Sequence, residues 1–182
     1  KIASLTKTFT AVLVMKLLEE KKVSVDGTIG EYLPAYKGGG KDKITIHHLL
    51  TYASGLENKL DELGMKPYQS NISLDEFIDR YCSGDLVSEP GEKSVYANTE
   101  YILLHKIIET LSGQSYENYL SNVILKPLGM ANTGMANSMT KQPISAAHTC
   151  TTIHRAHSMT KSHISQSCTL GQVPCTPQLK TF

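Results

Sequence analysis

The feature that most limits what this chain can fold into is a break in composition near residue 135. Residues 136–182 contain no Asp, no Glu and no Tyr, although the chain has 17 acidic residues and 9 tyrosines. At the rate of residues 1–135, where all 17 acids lie, that stretch would hold about 6. It also holds three of the four cysteines (Cys150, Cys168, Cys175) and four of the seven histidines (His148, His154, His157, His163). So abrupt a change marks a segment built to a different plan. The foldable body is therefore expected over residues 1–135, enough chain for one domain with a real core. Its single cysteine, Cys82, rules out an internal disulfide framework.

Charge excludes further classes. The chain carries 18 Lys+Arg against 17 Asp+Glu, a net charge of +1. That balance offers no surface for a polyanion, so nucleic acid is excluded as the expected partner. The longest apolar run, Ala11 to Leu18, is interrupted by Lys16, so no transmembrane helix is expected. The chain begins at Lys1 without Met, so no leader can be read from it.

Within the body, helices dominate. Ser4 to Lys22 reads as a helix with a stripe of Leu5, Phe9, Val12, Leu13, Leu17 and Leu18, and Ser4 suits its N-cap or first turn. A short turn over Ile29 to Leu33 stops at Pro34, and a helix from His47 to Tyr52 ends at Ser54-Gly55. Ser73, with Glu76 three residues on, opens a helix to about Cys82. Tyr101 to Leu111 is strongly helical and closes at Gly113. Tyr116 to Leu125 follows, closed by Pro127 and Gly129. No strand longer than four residues is expected.

The chemistry sits in two short patterns. Ser4-Leu5-Thr6-Lys7 is S-x-x-K at a helix start, which puts hydroxyl and amine on one face. A serine hydroxyl becomes a nucleophile when a neighbouring amine accepts its proton, and helix N–H groups can hold a developing oxyanion. The pattern recurs at Ser138/Lys141 and Ser158/Lys161, but only Ser4 opens an apolar helix. Tyr96-Ala97-Asn98 follows the Pro90-Gly91 turn. In extended chain its phenol and amide point the same way, one able to relay a proton and the other to hold a carbonyl. Tyr116-Glu117-Asn118 lies inside a helix, where such positions diverge, and reads as structural. His47-His48 lacks ligands at metal spacing, and no metal site is assigned. His105 reads as a core or edge residue, and Asp75, Glu76 and Asp79 as a solvated helix face.

Taken together, the segments I-A-S-L-T-K (2–7), H-L-L-T-Y-A-S-G-L (48–56), P-G-E-K-S-V-Y-A-N (90–98), Tyr101 to Gly113 and K-P-L-G-M-A-N-T (126–133) resemble the beta-lactamase-related serine hydrolases. That group comprises class C beta-lactamases, penicillin-binding DD-peptidases and their esterase relatives. The resemblance covers about residues 1–135. It implies Ser4 as acylated nucleophile, Lys7 as its base partner, Tyr96 as proton relay and Asn98 as substrate-binding residue. No cofactor is implied. The implied partner is a small-molecule or peptide-like substrate with an amide, beta-lactam or ester bond, and the implied setting is extracytoplasmic. Esterase or D-amino-acid peptidase activity on the same scaffold, or a non-catalytic binding module, are the alternatives. Tyr52-Ala53 stands where His-Thr is common in the family.

The family's fold sets a helical domain against an antiparallel sheet. The expectation here is a mainly α fragment of that α/β fold, with the helical domain present and most of the sheet missing. The family's third motif, Lys or His followed by Thr/Ser-Gly on a strand, is absent. A fragment without it is expected to be inactive and to expose apolar area. Residues 136–182 are expected to be a frameshifted, disordered tail. Read one base upstream, they permit H-I-S-I-M-H-A-G-A-G-S-L-Y-T-T-A-E-D-F, which resembles the family segment A-G-x-L-x-S-T-A-x-D. The tail's Cys150, His154, His157, His163, Cys168 and Cys175 match no common zinc spacing.

Overall fold

The computed structural model describes residues 2–135. The readings of residues 136–182, including the second and third S-x-x-K patterns, lie outside the described residues.

Helices carry the described residues: α1 (Thr6–Glu19), α2 (Ile29–Tyr32), α3 (Ile46–Leu50), α4 (Lys59–Glu62), α5 (Leu74–Phe77), α6 (Thr99–Ser112) and α7 (Tyr116–Leu120). No strand forms among them; extended pairing is limited to single bridges, Thr28 to Thr45 and Leu56 to Leu86. The two long helices, α1 and α6, pack on each other, and α3 lies against α6. Leu13, Val14 and Leu17 of α1 share one core with Leu103, Leu104, Ile107 and Ile108 of α6.

Several boundaries have a local cause. Ser73 Oγ accepts the Glu76 N–H at 3.2 Å, capping α5, and Ser115 Oγ does the same for Asn118 N–H at 3.3 Å at the start of α7. Gly113 ends α6 in the left-handed region. A reciprocal capping box forms at Thr45, whose Oγ1 accepts from His48 N–H while His48 Nδ1 accepts from Thr45 N–H. His48 is thereby a capping residue.

Several boundaries differ from expectation. The first helix begins as a 3-10 turn, Ala3–Leu5, and its α portion ends at Glu19, because Lys21 takes a left-handed φ of +56°. Ser4 caps nothing; the N-cap position is Leu5, which offers no side-chain acceptor. The stripe also turns: Thr10, Leu13, Val14 and Leu17 are buried, whereas Leu5 and Val12 are exposed along with Ile2 and Met15. Between Ala11 and Leu18 every residue but Lys16 is apolar, so periodicity has little contrast to work with there. The helices from Ser73 and Tyr116 each widen after one turn into π geometry, over Ile78–Cys82 and Ser121–Leu125. The α4 turn was not expected.

One further element positions the site. Residues 51–57 and 85–95 lie side by side, joined by Glu57 N–H to Asp85 O (3.0 Å), Val87 N–H to Gly55 O (2.8 Å), Gly91 N–H to Ala53 O (2.8 Å) and Val95 N–H to Tyr52 O (2.9 Å). Gly55 makes this approach possible: its φ is +73°, and a Cβ there would lie 2.2 Å from Ser88 O. This strap ends just before Tyr96 and so fixes where that residue meets α1.

Candidate active site

The strap and the N-terminal end of α1 converge on the Lys7 amine. Lys7 Nζ donates to Tyr96 Oη at 2.5 Å and to Asn98 Oδ1 at 2.8 Å. The structure thus brings together Lys7, Tyr96 and Asn98, from segments about ninety residues apart in sequence. Tyr96 lies outside any helix or strand, and Asn98 at the N-cap position of α6, where its side chain is free of capping and turns to Lys7 instead. Ser4, one turn before Lys7, is exposed and lines the same cleft of about 410 Å³, together with Asn98, Tyr101, His105 and Tyr116. Ala3, directly before Ser4, holds a left-handed φ of +47°, the kind of strained backbone that collects at functional sites.

Three tyrosine rings surround the amine. Lys7 Nζ lies 3.8 Å from the ring centroid of Tyr96, 5.6 Å from that of Tyr101 and 5.7 Å from that of Tyr52. The Tyr52 ring stacks between the other two, at 4.9 Å from Tyr96 and 5.2 Å from Tyr101. Ring faces attract an ammonium, so the cage holds the lysine head in place as well as the two hydrogen bonds do. Tyr52 reaches this position through a left-handed φ of +59°, unusual for an aromatic residue.

The electrostatics favour proton movement at Tyr96. Burial pushes its phenol pKa up, but hydrogen bonding from Lys7 and from Ser4, with the Lys7 charge, outweighs that, and the net shift is downward from 10.0. Its neighbours go the other way. Burial, with the Asp61 charge adding, raises the Tyr68 phenol to about 12. Burial also raises the Glu100 carboxyl; it is 3% exposed, accepts from Ser54 Oγ at 2.8 Å through Oε1, and its Oε2 has no partner among the described residues.

Other candidate residues fall elsewhere. His105 lines the cleft and stacks on Tyr116 at 4.4 Å, and burial lowers its pKa. Tyr116 Oη bonds Thr10 Oγ1 at 2.8 Å across the α1–α7 contact, a packing role. Asp75, Glu76 and Asp79 pair with Lys106, Arg80 and Lys37 on the surface. No group of three or more metal-ligating side chains occurs among the described residues.

Four site residues were missed from sequence. Tyr101 was findable, since Asn98 and Tyr101 are three apart at the start of one helix and share a face. Tyr52 was visible only as a departure from a common pattern. Glu100 carried no signal in its neighbours. Asp61 accepts from Asn98 Nδ2 at 2.7 Å, across 37 positions of sequence that no local pattern connects.

Comparison with known proteins follows the same lines. The family model described as Beta-lactamase matches residues 1–165, so the match runs past the compositional break at 135. The protein flp of Staphylococcus aureus is 33% identical over 145 residues, 78% of this chain and 29% of its own length. The penicillin-binding protein of Bacillus halodurans superposes with a TM-score of 0.66 at 29% identity, over 75% of this chain and 42% of that one. The D-amino acid amidase of Ochrobactrum anthropi, whose structure holds L-phenylalanine amide, gives a TM-score of 0.63 at 28% identity, over 72% of this chain and 37% of that one. The chain spans less than half the length of each of these relatives.

Proposed function

The chain belongs to the beta-lactamase family, and from that premise we propose that, contrary to the inactivity expected from its missing third motif, it acts as a serine hydrolase through a Ser4 acyl-enzyme on amide, beta-lactam or ester bonds. The observation that carries this reading is the Lys7 amine, held between Tyr96 Oη at 2.5 Å and Asn98 Oδ1 at 2.8 Å one helical turn from Ser4.

Each group then has a task. Ser4 Oγ attacks the carbonyl carbon while its proton passes to the Lys7–Tyr96 pair. The lowered pKa of Tyr96 suits a group that must take and return a proton. The pair delivers that proton to the leaving nitrogen or oxygen as the carbonyl–heteroatom bond breaks. Water hydrolyses the resulting ester by the same route in reverse, releasing the acid and restoring the serine. Asn98 holds a substrate carbonyl through its amide. The penicillin-binding and amidase relatives support the substrate range and, with it, an extracytoplasmic setting. No helix among the described residues is long and apolar enough to cross a membrane.

The test is covalent labelling of the full chain with a fluorescent penicillin and with a fluorophosphonate. The expected outcome is one adduct, mapped to Ser4 by mass spectrometry and absent from Ser4→Ala. A folded chain that takes neither reagent refutes the hydrolase and favours a non-catalytic binding module on this scaffold.

A further inference from the structure

We propose that Asp61 determines specificity, selecting substrates that carry an ammonium group next to the carbonyl held by Asn98. The inference rests on the hydrolase reading above and names its substrate class.

The amide of Asn98 lies between opposite charges. Its Oδ1 accepts from Lys7 Nζ at 2.8 Å and its Nδ2 donates to Asp61 Oδ1 at 2.7 Å. Lys7 therefore stands at one end of the amide and the Asp61 carboxylate at the other. The carboxylate is fixed in place: Asn58 Nδ2 donates to its Oδ2 at 2.7 Å, and the Asp61 N–H donates to Asn58 Oδ1 at 3.4 Å. Asp61 is exposed and enters no ion pair among the described residues; Lys59, two positions away, pairs with Glu57 at 2.8 Å. A charged acceptor with no ion-pair partner among the described residues is thus held against Asn98, a residue that lines the cleft.

Geometry limits what meets that charge. Asn98 Nδ2 has a second N–H, and a carbonyl that accepts it sits about 5 Å from the carboxylate oxygen already bonded to the first. Substituents on that carbonyl's neighbouring carbon fall within the same range. Lys7 opposes this field only weakly there, because it lies beyond the far end of the amide and is engaged by Tyr96 Oη and three ring faces. His105 faces the Glu109 carboxylate at 3.5 Å, which offsets any charge it carries. Met65, Tyr68, Tyr101 and Ile102 give the wall an aromatic and apolar stretch that screens poorly. A unit charge at about 5 Å in such a partly screened setting shifts binding by about tenfold.

Ampicillin and benzylpenicillin differ by one amino group, placed on the carbon beside the side-chain carbonyl, and make the test direct. Second-order rate constants for Ser4 acylation of the full chain are measured by competition with a fluorescent penicillin, at about pH 6, where an α-amine is protonated. The expected result is about tenfold faster acylation by ampicillin, with the ratio falling to about 1 in Asp61→Asn and shrinking with added salt. A ratio near unity in the unmodified chain overturns the inference. So does a ratio that Asp61→Asn leaves unchanged, because a merely structural Asp61 slows both penicillins alike. Acylation without charge preference removes this inference and leaves the hydrolase reading standing; absence of any Ser4 adduct removes both.

Discussion

Replacing Gly55 by alanine tests the strap that carries Tyr96. Two effects combine at this position. The backbone φ of +73° lies in the left-handed region, which costs an alanine about 1–2 kcal/mol. The new Cβ would also stand 2.2 Å from Ser88 O, a backbone atom that cannot rotate away. Restoring ordinary contact requires the facing segment to retreat by about 1 Å. The Val87 N–H to Gly55 O bond of 2.8 Å, at the same residue, cannot survive that shift, a loss of about 1 kcal/mol. Together Gly55→Ala should cost about 2–4 kcal/mol, or about 30- to 1,000-fold in the unfolding equilibrium. With a urea slope of about 2 kcal/mol/M, the midpoint falls by about 1–2 M. Gly113→Ala is the control: its φ is +67°, but nothing lies within 4 Å of the added carbon, so only the strain of about 1–2 kcal/mol applies. Equal losses in the two variants would refute the claim that close approach to Ser88 dictates glycine at position 55.

Two further outcomes follow from burial. Glu100 has a carboxyl pKa raised above its ordinary 4.5 by burial, so the folded chain binds the proton more tightly than the unfolded one. Its favourable contribution is complete below about pH 4.5 and declines as pH rises through the folded value; Glu100→Gln should flatten that decline, as urea denaturation at about pH 5 and 8 would show, and an unchanged pH slope would count against it. Along α1, Leu13→Ala, at a fully buried site, should cost about 2–5 kcal/mol, whereas Val12→Ala, at a site 48% exposed, should cost under about 0.5 kcal/mol; equal losses by the same assay would contradict the burial pattern.

Local signals reached some of this molecule and not the rest. Helices with a capping residue or a terminating glycine were legible: Ser73 and Ser115 accept the N–H groups their positions predict, and Gly113 takes the left-handed turn. The face of α1 was not legible, because Leu5 and Val12 are as apolar as Leu13 and Leu17, and only the packing of α6 decides which are covered. Tyr96 and Asn98 were paired on the expectation of extended chain, but Asn98 takes helical angles (φ −93°, ψ −24°), and the two meet at Lys7 instead. Their meeting with Lys7 could not be derived from spacing; it depends on how the strap and α1 lie in space.

Assembly by the fold rather than by a ligand has a chemical consequence. Lys7 is placed by α1, Tyr96 by the strap, Asn98 and Tyr101 by the first turn of α6, and Tyr52 by a left-handed residue beside α3. Three stretches of chain, at residues 7, 52 and 96–101, therefore meet at one amine in the absence of any ligand. Preorganisation of this kind spares the reacting groups an ordering cost at the moment of reaction. It also ties reactivity to packing far from the cleft. Ser54 illustrates the tie: its hydroxyl donates to buried Glu100 at 2.8 Å and accepts the Leu56 N–H at 3.2 Å, so one side chain joins the strap to α6. A substitution there reaches Tyr96 and Asn98 together, because both hang from the two elements that Ser54 joins.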